Sequence, residues 1–286
     1  MKYCLVPLGC QMNISDSERI RSVLEELGYE RSDVEEEADL LGIVACSVRQ
    51  KAIDKVYSKI HRWNQWKSER HLITFASGCI LPADRVKFLD RFDFVFSIQE
   101  LPQLPDMIRQ YGVVSPASID AANGATEAGQ DDPSRGYWRV APAYTSAFEA
   151  YVPIQNGCDK FCTFCAVPYT RGREVSRPSR EILAEVRKLV DQDYKAITLL
   201  GQNVNSYGLD KRSQEIHFPE LLREVGEIGR RSGKRFWVYF TSPHPWDMTT
   251  EVLEVIAEYE HLAKQIHLPI QSGDDAILMR MNRRHN

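Results

Sequence analysis

Three cysteines recur at a spacing that ties this chain to a layered α/β fold. Cys10, Cys46 and Cys79 each follow a short apolar run that reads as a β-strand (residues 2–8, Leu40–Ala45 and Leu72–Ala76). Helical patterns follow, and the separations of 36 and 33 residues are each about one βα unit. Strands alternating with helices in this rhythm build a parallel sheet whose carboxyl ends share one edge. Three thiols therefore converge on that edge. A buried, inert cysteine explains any one of them, as it explains Cys4 inside the first strand, but not three at successive strand ends.

The helix after Cys10 is expected from about Ser15, capped by Ser15 with Glu18 three positions on, its apolar stripe carried by Ile20, Val23, Leu24 and Leu27 before Gly28. A second helix spans Arg49–Trp66; a fourth strand, Phe92–Ser97, precedes a helix over Leu101–Tyr111. Residues 1–112 thus form one α/β domain. Residues 113–148 lose apolar periodicity and read as a linker.

Composition excludes several classes. With 43% apolar and 27% charged residues the chain can bury a core. A net charge of -4 gives no diffuse positive field, so contact with a nucleic acid must come from local patches or from a part not present. No apolar run reaches the roughly 20 residues of a membrane span, and the run before Cys10 is too short for a secretory signal. Seven cysteines without such a signal point to a cytoplasmic protein with reduced thiols serving metal or catalysis.

The second domain, residues 149–286, begins with a strand, Tyr151–Gln155, leading into Cys158-Asp-Lys-Phe-Cys162-Thr-Phe-Cys165. Three cysteines on one loop can hold three corners of a 4Fe-4S cluster and leave the fourth iron open to a ligand. A four-ligand zinc site would need a further Cys or His nearby, and none follows. Further strands, Ala196–Leu200, Trp237–Phe240 and Ile266–Leu268, end in polar loops, as the active face of an α/β barrel requires. His244, between two prolines, reads equally as a turn residue. The run His61–Lys67 could stack on bases, but an amphipathic helix explains it as well.

C-x3-C-x2-C with Phe164 before the last cysteine resembles the radical S-adenosylmethionine (SAM) signature. Gly9-Cys10-Gln11-Met12-Asn13, Cys46-Ser47-Val48-Arg49, Ser77-Gly78-Cys79, the stretch Tyr169–Pro178 and His267–Gly273 together resemble the methylthiotransferases of the MiaB branch. The resemblance implies a flavodoxin-like parallel-sheet domain followed by a partial radical SAM barrel, and methylthiolation at C2 of N6-isopentenyladenosine at tRNA position 37. It implies two 4Fe-4S clusters, an auxiliary one on Cys10, Cys46 and Cys79 and a radical-generating, catalytic one on Cys158, Cys162 and Cys165. SAM would be contacted by Phe164, Gln202, Asn203, Ser242 and Gln271, and the tRNA by Arg171, Arg173 and Arg177. The implied partners are that tRNA and a flavodoxin or ferredoxin as electron donor, with the chain a monomer away from membranes. Four recognisable barrel strands stand where such barrels have six, and no RNA-binding TRAM domain follows, so the resemblance implies C-terminal truncation. Alternatives are a methylthiotransferase acting on threonylcarbamoyl-adenosine or on a ribosomal protein aspartate, or a non-catalytic iron-sulfur fragment. Gln11-Met12-Asn13 argues against the first two.

Overall fold

In the computed structural model, which describes residues 1–111, 133–211 and 214–285, the chain divides into two compact units, Met1–Ala143 and Tyr144–Asn286.

The first unit is built on β1 (Lys2–Pro7), β2 (Glu30–Arg31), β3 (Leu40–Cys46), β4 (Ile73–Cys79) and β5 (Phe94–Val95). All neighbours pair in parallel, in the order β2-β1-β3-β4-β5. Both faces are covered. Leu40 and Val44 of β3 join one core with Ile20 and Leu24 of α1 (Gln11–Glu26) and Ile108 of α4 (Leu104–Gln110). Leu41, Ile43 and Ala45 point the other way, onto Ile53, Val56, Ile60 and Trp63 of α2 (Gln50–Trp66) and Phe88 of α3 (Pro82–Leu89). Side chains that alternate between two buried faces explain why β3 is apolar throughout.

Three expectations need correction here. Helix α1 begins at Gln11, not Ser15, because Cys10 and Asn13 form the capping box one turn earlier; Ser15 and Glu18 lie buried inside it. The fourth strand shrinks to two residues, since Ser97 with Glu100 caps a 3-10 turn over Ile98–Gln103, and α4 starts only at Leu104. Within the segment read as linker, Pro133–Arg139 forms helix α5, whose Tyr137 and Trp138 are buried in the α1 core. The rest of that segment up to residue 132 lies outside the described residues.

In the second unit β6 (Glu149–Pro153), β9 (Ala196–Leu200) and β10 (Trp237–Phe240) form a parallel sheet in the order β10-β9-β6. An antiparallel ribbon, β7 (Gln155–Asn156) with β8 (Val175–Ser176), closes the loop after β6. Helix α6 (Val167–Thr170) sits within that loop. Apolar stripes of α7 (Ser179–Asp191), α8 (Phe218–Ser232) and α9 (Thr250–Glu258) cover the sheet: Ile182, Val186 and Leu189, then Leu221, Leu222 and Val225, then Val252 and Val255. This is the (β/α) repeat of a barrel arc. The strand expected at Ile266–Leu268 does not form. The chain instead meets β10 four residues earlier, at a single bridge between Val238 and Leu262, with Val238 N–H donating to His261 O and Ala263 N–H to Val238 O. With the pairing groups of Val238 used there, Ile266 packs on the core without a ladder of its own.

Candidate functional site

The first sheet has the flavodoxin-like order, in which the connection reverses direction between β1 and β3. Such a reversal opens a crevice at the carboxyl ends of those strands. Cys10 caps the helix leaving β1, and Cys46 ends β3. Cys79 ends β4 and stands opposite Cys46 in strict register. Asn13 joins the cysteine loops. Its Oδ1 accepts from Cys10 N–H at 3.3 Å, and its Nδ2 donates to Ala45 O at 3.0 Å, one residue before Cys46. Ser47 N–H donates to Cys79 O at 2.7 Å, and Ser47 Oγ accepts from Leu81 N–H. Cys10 is exposed; Cys46 and Cys79 are buried, and none is in a disulfide.

The second trio occupies one loop. Gly157, with φ +81°, turns the chain out of the β7–β8 ribbon, and its N–H donates to Gln202 Oε1 at the end of β9. Cys158 N–H donates to Gly172 O, and Cys165 N–H to Cys162 O. Asp159 holds the Arg173 guanidinium in a two-pronged contact of 2.6 and 3.0 Å and accepts from Glu174 N–H, which fixes the loop against the ribbon. Lys160 pairs with Asp247 at 2.7 Å. Burial pushes the Cys158 thiol up to about 11 and raises Cys165 as well. Without a bound cation these thiols keep their protons, so ligation releases protons.

Beside the loop lies a polar cavity of about 200 Å³, lined by Asp159, Lys160, Glu174, Asp210 and His244 among others. Glu174 is buried, and Ser206 Oγ lies 2.7 Å from its Oε1. Burial, with Asp210 and Asp159 adding to it, pushes Glu174 up to about 7. His244 is held by a hydrogen bond from Trp246 N–H to its Nδ1, and burial pushes it down to about 4, so it is a neutral turn residue.

The remaining sequence candidates separate into two groups. Phe164 is exposed beside Cys165, Gln271 is exposed with φ +71°, and Ser242 is in the left-handed region with φ +60°. Asn203 is buried; its Nδ2 donates to Asp247 while its Oδ1 has no hydrogen-bond partner among the described residues. Arg173 is solvent-facing, its guanidinium over the Phe161 ring. The other two arginines are turned inward. Arg171 is 4% exposed and donates to Asn156 Oδ1; Arg177 is 6% exposed and pairs with Glu185 and Glu181. In the run His61–Lys67, Trp63 is buried and donates to Glu35, and Arg62 covers Trp66, which is the amphipathic-helix reading. Sequence reasoning missed Asn13, Asp159, Glu174 and Arg283. Arg283 Nη1 lies 3.7 Å from Cys162 Sγ. Asn13, Asp159 and Glu174 carried a signal, standing within words quoted for other residues.

Among the described residues no three His, Cys, Asp or Glu side chains meet closely enough to hold a single metal ion. An iron-sulfur cluster asks something different, because each thiolate binds its own iron and the ligands need not share one point. Nor is any described helix long and apolar enough to cross a membrane.

Residues 2–98 match the model of "Uncharacterized protein family UPF0004", and residues 152–286 that of the "Radical SAM superfamily". The chain is 41% identical over 96% of its length to a tRNA-2-methylthio-N(6)-dimethylallyladenosine synthase of Geobacter metallireducens, covering 60% of that protein. It is 38% identical over 98% of its length to the protein of that name from Carboxydothermus hydrogenoformans, of which it covers 62%. For the Bacteroides fragilis protein of that name the values are 41%, 99% and 61%. The chain thus spans about three fifths of the length of these relatives. Among solved structures, the apo form of the cobalamin-dependent S-adenosylmethionine radical enzyme OxsB superposes with a TM-score of 0.64 at 12% identity, over all of this chain and 46% of that one, which is a likeness of fold.

A radical SAM domain implies a 4Fe-4S cluster and SAM. The loop Cys158–Cys165 fits that demand: three disulfide-free thiols on one anchored turn after the first strand of a parallel sheet, with a polar cavity alongside. On its sequence and its two matched segments, this chain joins a UPF0004 segment to a radical SAM segment and is similar along nearly its whole length to radical SAM methylthiotransferases.

Proposed function

We propose that this chain is the catalytic part of a tRNA-2-methylthio-N6-dimethylallyladenosine synthase, which methylthiolates C2 of isopentenyladenosine beside the anticodon. The observation that carries this reading is the pairing, in one chain, of a three-cysteine loop on a barrel sheet with three cysteines at the edge of a flavodoxin-like sheet. The roughly 40% identity to proteins of that name supports the choice of substrate.

In this reading Cys158, Cys162 and Cys165 each bind one iron of a cluster and leave the fourth iron to SAM. When bound, the cluster and SAM supply a carbon-centred radical able to take hydrogen from an aromatic C–H, which is too weak an acid for a general base near neutral pH. The chain's own residues hold and orient. Gly157 and Gln202 fix the exit of the cysteine loop, and Phe164 offers an exposed ring to an adenine face. Gln202, Asn203, Ser242 and Gln271 are assigned to SAM. Of the three arginines, Arg173 is assigned to a phosphate, which its exposed guanidinium beside Asp159 supports, whereas Arg171 and Arg177 act by shaping the ribbon. Cys10, Cys46 and Cys79 hold a second cluster, which carries the sulfur. The electron donor is flavodoxin or ferredoxin, and the protein works as a cytoplasmic monomer.

Mass spectrometry of tRNA nucleosides from cells lacking the protein tests the reading. Isopentenyladenosine accumulates without its methylthio form if it holds, and a normal nucleoside profile refutes it.

A further inference from the structure

Helix α10 (Asp275–Arg280) begins at Asp274, whose Oδ1 accepts from Ile277 N–H. It ends in a Schellman turn: Arg283 N–H donates to Leu278 O and Asn282 N–H to Met279 O, with Asn282 in the left-handed region at φ +55°. This turn grips the cysteine loop from the far end of the sequence. Asn282 Nδ2 donates to Lys160 O and Phe161 O, and Thr163 donates through its N–H to Met281 O and through Oγ1 to Arg280 O.

The turn aims Arg283 inward. Arg283 is 9% exposed, its Nη2 donates to Pro269 O at 2.6 Å, and its Nη1 lies 3.7 Å from Cys162 Sγ. Nε is buried with no hydrogen-bond partner, and among the described residues no carboxylate pairs with the guanidinium. A buried cation without an anion is costly, and a side chain kept in that state must meet its counter-charge in another form. Among the described residues, the acidic group it touches is a thiol read as a cluster ligand, that of Cys162.

The geometry points to Arg283 as a positioning residue that donates a hydrogen bond to the Cys162 thiolate and sets the reduction potential of the cluster held by Cys158, Cys162 and Cys165. This rests on the reading of that loop as a cluster site. Hydrogen bonds to ligating sulfur and a nearby positive charge both favour the more negative, reduced cluster. The guanidinium therefore makes it easier to reduce.

The test is an EPR-monitored redox titration of the full chain, reconstituted anaerobically, with Cys10, Cys46 and Cys79 changed to Ala so that one cluster reports. Arg283→Gln keeps its iron but titrates lower, its reduction equilibrium constant falling about tenfold, or about 59 mV for a one-electron couple. Arg283→Lys, which keeps the charge but loses the fork, falls between the two. A Gln variant that loads iron and titrates with the parent overturns the inference. Should the Gln variant fail to load, the Lys variant decides, and a midpoint equal to the parent's overturns it. If the parent itself binds no cluster, the reading of the loop fails instead.

Discussion

Two trios of cysteines reach the edge of a sheet by opposite routes. In the first unit they come from three strand ends spread over residues 10 to 79, and the register of β3 against β4, the Ser47 N–H bond to Cys79 O and the reach of Asn13 join their loops. In the second unit they fall within eight residues, on a loop pinned at one end by Gly157 and Gln202 and at the other by Thr163 and Asn282. The first trio is a property of the whole sheet, the second of one loop and its anchors. Each nevertheless places a glycine with positive φ directly before a cysteine: Gly78 at +104° before Cys79, and Gly157 at +81° before Cys158.

That shared device is where the comparison breaks most sharply. A Cβ on Gly78 would lie 2.5 Å from Ala45 O, so Gly78→Ala must move β3 or β4. It is expected to destabilise the first unit by about 3 kcal/mol or more. A Cβ on Gly157 would lie 2.0 Å from Arg173 O, in the loop just before β8. Gly157→Ala should therefore release iron from the second trio with a smaller loss in urea unfolding. Equal unfolding losses in the two variants would show that the loop is as much part of the fold as the strands are.

The same contrast explains what could be read in the sequence. The βα rhythm of the first unit and the local C-x3-C-x2-C of the second were both visible, since apolar periodicity and close spacing are one-dimensional signals. Ser15 and Glu18 imitated a capping box whose real members, Cys10 and Asn13, do not look like one because a thiol is an unusual cap. Helix α5 hid in a segment without apolar period because Tyr137 and Trp138, the two buried apolar residues among its described side chains, are adjacent and set no helical period. The strand at Ile266–Leu268 failed because its pairing edge is met earlier, at Leu262, which no propensity records. Arg283 was illegible because its meaning lies in a contact 121 residues away.

A smaller effect sharpens the comparison through pH. Glu174 lies in the polar cavity beside the second trio with its folded value raised from 4.5 to about 7. For a carboxyl raised in the folded state, the stabilisation is fully present below the unfolded value and is lost as pH rises through the folded one. The apo chain is expected to lose on the order of 2 kcal/mol between pH 5 and pH 8 through this group. Glu174→Gln should flatten that slope in urea unfolding across the same range; an unchanged slope would move its origin elsewhere.

The central claim is that each trio binds one four-iron cluster independently of the other. Iron should be counted after anaerobic reconstitution of the full chain and of two variants, one with Cys10, Cys46 and Cys79 changed to Ala and one with Cys158, Cys162 and Cys165 so changed. About eight iron atoms per chain are expected for the parent and about four for each variant. A parent that holds only about four, or a variant that keeps the full complement, would contradict it.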